Sequence, residues 1–192
     1  MDKHMRITNA SLQHAVDSAP RQRYAVIAAV DIKGGFSKEG QIPWYYSEDF
    51  QWFKQITSGE EDNKSICAMG RKTYEDINTR LGQKAIKSVL PNRRCFVLSN
   101  TLTELPNATV VKSIREVEFH NDNPTNTIFI IGGNKLFTEG VALAHDIFLT
   151  VINKDFDCDK HFPMSYLFKH FAPHKVFESD HKDLRFFHLT RK

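Results

Sequence analysis

Tyr24-Ala25-Val26-Ile27-Ala28-Ala29-Val30 is an unbroken apolar run with no alternation. A strand with one face in water alternates, so a run of this kind belongs to a strand covered on both faces, as in parallel sheets flanked by helices. Thr127-Ile128-Phe129-Ile130-Ile131 repeats the pattern. Around these two, shorter strands read at Ile66–Met69, Phe96–Leu98, Thr109–Val111 and His145–Ile152, with helical segments opening at Gly70-Arg71, Ser113 and Asn134. Strands that alternate with helices predict an α/β fold with a mostly parallel sheet. Late runs around Lys175–Ser179 and Arg185–Thr190 predict an antiparallel edge, giving one mixed sheet of about eight strands flanked by helices in a single domain.

The bulk numbers agree. The chain has 192 residues, 41% hydrophobic and 26% charged, which suits one globular domain with a sizeable core. A net charge of +3 is too weak to argue for nucleic acid, though it suits a phosphorylated ligand. Cys67, Cys95 and Cys158 lack CxxC spacing, and the first two lie in apolar runs, so they read as small core residues in a reducing compartment. No stretch has the length of a membrane span and the N-terminus has no secretory h-region, so the cytosol is the expected location. Residues 1–22 are polar and without a strong period; they read as an extension before a domain at 23–192.

Between the first two strands lies Ile42-Pro43-Trp44-Tyr45-Tyr46-Ser47-Glu48-Asp49-Phe50-Gln51-Trp52-Phe53-Lys54. Ser47 is placed to cap a helix, and acidic residues follow where the helix dipole favours them. Asp49, Phe50 and Phe53 then share one face. A carboxylate beside two aromatic rings is costly unless something rich in N–H donors binds it. The bland reading is a solvated first-turn acid beside a core stripe.

Two turns look suited to phosphate. Met69-Gly70-Arg71-Lys72-Thr73 joins a strand end to a helix start that carries two cations and a hydroxyl. Ile131-Gly132-Gly133-Asn134-Lys135 lets a ligand approach bare backbone. Either can be an ordinary tight turn, and neither has the GxGxxG fingerprint. Together, each after a buried strand, they point to a ligand with two phosphorylated ends bound at strand C-termini.

Taken in order, these pieces resemble the dihydrofolate reductase family from about Tyr24 to the C-terminus: Ile27-Ala28-Ala29, a Gly-containing loop, Ile42-Pro43-Trp44, Asp49, Trp52-Phe53-Lys54, Met69-Gly70-Arg71-Lys72-Thr73-Tyr74, Arg93, Val97-Leu98-Ser99, Ile130-Ile131-Gly132-Gly133, Leu149-Thr150 and His161-Phe162-Pro163. The resemblance implies reduction of 7,8-dihydrofolate by NADPH to tetrahydrofolate, a reaction of one-carbon metabolism that supplies thymidylate and purine synthesis. Asp49 matches the active-site carboxylate, Thr150 the hydroxyl bonded to it, and Trp44 an indole that orders a nearby water. Ile27, Ala29, Phe50, Phe53, Ile77, Leu90 and Ile131 match the substrate walls. Arg93 matches the fork for the glutamate α-carboxylate; read from the residues alone it is a surface cation beside Arg94.

For the cofactor, the resemblance implicates Ala29, Gly40, Gln41, Ile42, Gly70, Arg71, Lys72, Thr73, Leu98, Ser99, Asn100, Ile131, Gly132, Gly133, Asn134, Lys135, Leu136 and Phe137. It also implies a cis Gly132–Gly133 peptide, a mobile lid before Pro43, binding of antifolates and a monomer without nucleic-acid or membrane partners. Ser37, Asn92, Asn134 and Phe137 depart from the family pattern, as do inserts at 58–64 and 78–89. Pro173, between His170 and His174, argues against a helical metal pair, and no metal is expected. Two other readings remain: a pyrimidine- or pterin-reducing relative on the same fold, and a non-catalytic nucleotide binder. The first lacks the Pro-Trp turn with Asp49 and Phe53; the second calls for loss of Asp49, Thr150 or Gly132-Gly133.

Overall fold

The computed structural model describes residues 22–60, 63–81 and 89–192. The expected N-terminal extension (apart from Gln22) and parts of both inserts, 61–62 and 82–88, lie outside the described residues. The main sheet contains β1 (Tyr24–Asp31), β3 (Ser65–Gly70), β4 (Arg93–Leu98), β5 (Thr109–Val111), β6 (Ile128–Gly132), β7 (Asp146–Ile152), β9 (Phe171–Glu178) and β10 (Leu184–Arg191), in the order β5-β4-β3-β6-β1-β7-β10-β9. Pairings from β5 to β7 are parallel, and β10 pairs antiparallel with both β7 and β9. The mixed eight-stranded sheet read from the sequence is the sheet observed.

Its two faces are covered as the apolar runs require. Val26, Ala28 and Val30 of β1 join Ile66, Ala68, Phe96, Ile128 and Ile130 on one face. There they meet α3 (Ile114–Phe119), α4 (Asn134–Leu143) and α5 (Met164–His170) through residues such as Val117, Val141 and Leu167. Ile27, Cys67, Met69, Cys95, Val97 and Ile131 face the other way, under α1 (Ser47–Thr57) and α2 (Arg71–Leu81). Cys67 and Cys95 are core residues, as expected, and all three cysteines are free.

Four local details differ from the sequence reading. Ser47 is the first helical residue of α1; Tyr46 occupies the cap position and makes no side-chain cap bond. The helix is held by packing of Trp52, Phe53 and Ile56, so it tolerates an uncapped start. β4 begins at Arg93, earlier than its apolar core suggests. A two-stranded ribbon, β2 (Gly35–Ser37) with β8 (Lys160–His161), orders part of the glycine loop. It and α5 are too short or too irregular to leave a periodic signal.

The C-terminal strand also caps a helix. Arg191 donates from Nε to Ala144 O and from Nη2 to Val141 O and Ala142 O, each at 2.9 Å, at the C-terminus of α4. A cation there satisfies carbonyls that the helix leaves unpaired and opposes its dipole. Arg191→Met should cost roughly 2 kcal/mol of stability, measured by urea unfolding; a midpoint unchanged from wild type would refute the cap.

Candidate active site

Asp49 lies in the first turn of α1, and the Thr150 hydroxyl of β7 acts on its carboxyl. Thr150 stands in register with Ala29 on β1 and Phe186 on β10, so the sheet presents its hydroxyl from beneath the helix. Burial pushes the Asp49 carboxyl up to about 6, against the opposing pull of the Thr150 hydroxyl. Desolvation therefore dominates, as expected for an acid wedged between an aromatic helix and a buried sheet. Trp44 is buried in the cluster that holds Phe186 and Ala29, the two register neighbours of Thr150, with its ring 5.1 Å from Phe156.

Ile27, Leu90 and Ile131 are buried in one apolar layer, with Phe53 and Ile77 packed against it. These expected wall residues are therefore brought together between the sheet and α1/α2. Phe50 stands apart, its ring 5.2 Å from that of the exposed Tyr45. Arg93 is no surface cation: it is 7% exposed, whereas its neighbour Arg94 reaches His120 O and Asp122 at the surface. The guanidinium sits 5.6 Å from the centre of the Phe53 ring and donates to Thr57 Oγ1, Pro91 O and Lys54 O. No carboxylate pairs with it among the described residues.

A second feature lies at the carboxyl ends of β3, β4 and β6, adjacent strands of the sheet. There a cleft of about 430 Å³ is lined by Gly70, Arg71, Lys72, Leu98, Ser99, Asn100, Gly133, Asn134, Lys135 and Leu136, all expected, and by Lys112, Ser113 and Glu139, which were not. Lys112 and Ser113 follow the end of β5 and open α3, so the rule that ligands bind beyond strand C-termini could have found them. Lys112 Nζ is anchored at 3.0 Å on both Ser99 O and Leu102 O, which aims a cation at the cleft with no carboxylate paired to it among the described residues. Arg71 and Lys135 contact Glu75 and Glu139 only loosely, at 3.6 and 3.7 Å. Such exposed pairs are weak and leave the cations free to meet a phosphate.

The glycines make this cleft possible. Gly133 has φ +100, and a Cβ there would stand 3.5 Å from Gly70 Cα. A Cβ on Gly132, φ +154, would come within 2.9 Å of the Thr73 side chain. Thr73 thus packs behind the turn and does not line the cleft. Among the described residues no peptide is cis; the expected cis Gly132–Gly133 bond is trans, and positive φ at both glycines shapes the turn. Gly132→Ala should destabilise the fold by roughly 2 kcal/mol and weaken NADPH binding. Thermal unfolding and a fluorescence titration test this, and wild-type values in both would refute it.

The other expected cofactor residues are more scattered. Phe137 is buried in the core between Phe36 and Phe162, at 5.1 and 5.2 Å. Gly40 and Gln41 form an exposed turn closed by paired Lys38–Gln41 backbone bonds, and Ile42 O accepts from Arg80 at 2.7 Å. Ala29 packs with Trp44, and Ile131 belongs to the substrate-side layer.

Cations, hydroxyls and bare glycine backbone at parallel strand ends, together with a desolvated acid on a helix facing the same sheet, define an α/β oxidoreductase that takes a phosphorylated dinucleotide. The family model for dihydrofolate reductase matches residues 23–191, and the chain belongs to the dihydrofolate reductase family. It is 33% identical over 138 residues to the Bacillus subtilis dihydrofolate reductase, covering 71% of this chain and 73% of that one. Against the Haemophilus influenzae dihydrofolate reductase, identity is 31% over 174 residues, 88% of this chain and 99% of the relative. A bifunctional dihydrofolate reductase-thymidylate synthase of Paramecium tetraurelia is 32% identical over 139 residues, 71% of this chain and 27% of that protein. The solved Enterococcus faecalis dihydrofolate reductase, complexed with NADP(H) and RAB-propyl, shares the fold with a TM-score of 0.73 at 24% identity, over 88% of this chain and 96% of that one. The reaction is NADPH-dependent reduction of 7,8-dihydrofolate to 5,6,7,8-tetrahydrofolate, a step of one-carbon metabolism.

Proposed function

We propose that Asp49 is the acid–base centre of this reaction, with Thr150 and Trp44 fixing its surroundings. The observation that carries this is a carboxyl in the first turn of the helix that carries Phe53, raised by desolvation to about 6 with Thr150 of the neighbouring strand acting on it. Ionised, Asp49 accepts the two parallel N–H donors of the pterin's amidine edge. Raised by burial, its pKa leaves a protonated fraction near neutral pH that can feed a proton through water toward the pterin nitrogen that must be protonated. Trp44 shields this region from bulk solvent and offers an indole N–H to that water. Ile27, Phe53, Ile77, Leu90 and Ile131 clasp the rings, and Arg93 receives the glutamate α-carboxylate.

NADPH, when bound, supplies the hydride. Residues of the cation-lined cleft fit its phosphates: Arg71, Lys72, Lys112 and Lys135 carry the charge, Ser99 and Ser113 the hydroxyls, and Gly70 and Gly133 the bare backbone. The turn at Gly40–Ile42 serves as the lid over the nicotinamide. We place the catalytic domain at residues 23–192 and take the chain for a cytosolic monomer open to antifolates. Its buried free thiols support a reducing compartment, and no helix among the described residues is long and apolar enough to cross a membrane.

Absorbance at 340 nm, followed with purified protein, dihydrofolate and either NADPH or NADH, tests the scheme. Oxidation should require dihydrofolate and run faster with NADPH. Saturable NADPH binding without turnover would point instead to the pyrimidine-reducing relatives or to a binder that kept the fold.

A further inference from the structure

Thr57 closes α1 and is fully buried. Its hydroxyl donates to Phe53 O at 2.7 Å, one helical turn back, and accepts from Arg93 Nε at 2.9 Å. With its proton committed to the helix, Oγ1 can only accept from the guanidinium, so the direction of the Arg93 bond is set. The Thr57 carbonyl accepts in turn from the Ser65 hydroxyl. Ser65 and Arg93 are register partners at the starts of β3 and β4, so both strands grip the same residue.

The other contacts of Arg93 complete a rigid mount. Nη1 donates to Pro91 O at 2.7 Å and Nη2 points to Lys54 O at 3.5 Å. Every acceptor is neutral, so the mount orients the cation without discharging it. Among the described residues, two of its five N–H groups meet no acceptor and are available to an anion. A buried guanidinium without a counter-ion is costly, and an oriented carboxylate from a ligand would relieve that cost.

We propose that Thr57 is the positioning residue that fixes the plane of the Arg93 fork for the glutamate carboxylate, and so sets the preference for substrates carrying that tail over pterins without it. The proposal rests on the reading of Arg93 as the tail-binding residue. A hydroxyl is needed because only it both donates to the helix and accepts from the arginine. Valine keeps the shape and loses both bonds.

The test compares KM and kcat for dihydrofolate and for a 7,8-dihydropterin lacking the benzoylglutamate tail, in wild type, Thr57→Val, Thr57→Ser and Arg93→Leu. Thr57→Val should raise the ratio of the two KM values about tenfold, as expected for a fork turned out of register, and Thr57→Ser should restore it. Thr57→Ala should give the same shift, and it substitutes for the valine variant if that one does not fold. Arg93→Leu should move the ratio further than either. If the Thr57 variants raise both KM values equally, or neither, while Arg93→Leu moves the ratio, Thr57 is structural only and the proposal fails. An unmoved ratio in Arg93→Leu would sink the reading of Arg93 itself, and the proposal with it.

Discussion

Asp49→Asn lowers the rate of hydride transfer at pH 7 by about 10²-fold or more, the expected loss for a positioned acid–base group, while NADPH still binds. The amide keeps the size and polarity of the carboxylate beside Thr150, so the wall is preserved. What it loses is the ability to take and give a proton, and the charge that holds the pterin edge. In wild type the single-turnover rate should fall as pH rises through about 6, where Asp49 gives up its proton. That limb should vanish in the variant. A pH profile unchanged by the substitution would remove Asp49 from the chemistry.

The same substitution has a thermodynamic signature of opposite sign. The folded-state pKa of Asp49 is raised above its usual value by burial. Its contribution to stability is therefore fully present below about pH 4 and is lost as pH rises through about 6. At pH 7 the buried charge costs roughly 2–3 kcal/mol, which asparagine avoids. Asp49→Asn should therefore melt several degrees higher than wild type at pH 7, with the gap closing toward pH 4. Thermal unfolding at the two pH values separates this from a general loosening, which would lower Tm at both. A residue that slows the enzyme and stabilises it when replaced is one retained for chemistry.

Arg93→Leu should raise KM for dihydrofolate by about 10²-fold, the cost of losing a desolvated, forked ion pair, with kcat much less affected. Leucine fills the place under Phe53 and removes a buried cation that has no protein counter-ion among the described residues. Folding should therefore be spared, and urea midpoints at or above wild type would show it. Steady-state kinetics and unfolding must be read together: a fallen kcat with a collapsed midpoint would make Arg93 a structural residue.

Much of the fold was legible because burial writes itself into composition. The run Tyr24–Val30 has no polar residue, and only a strand covered on both sides tolerates that; the structure shows helices on both faces. The late antiparallel edge was legible for a related reason. The runs at Lys175–Ser179 and Arg185–Thr190 read as strands, and the exposed residues of β9 suit a strand with one side unpaired. Short elements were not: β2 and β8 owe their existence to each other and to no pattern of their own. Glycines at two strand ends marked the turns that border the cleft, whereas Lys112 and Ser113 looked like any polar pair because only the sheet order, with β5 beside β4, brings them to it.

The sequence by itself determined the order of strands and helices, the acid on an aromatic helix face and the two glycine turns. Each of these depends on spacing along the chain or on the conformational freedom of one residue type. Only the tertiary structure decided that Arg93 is buried and mounted on Thr57, that Thr150 reaches Asp49 from β7, and that three strand ends share one cation-lined cleft. The environment of a charged group comes from segments far apart in sequence, and whether it is solvated surface or desolvated chemistry is settled only when those segments pack.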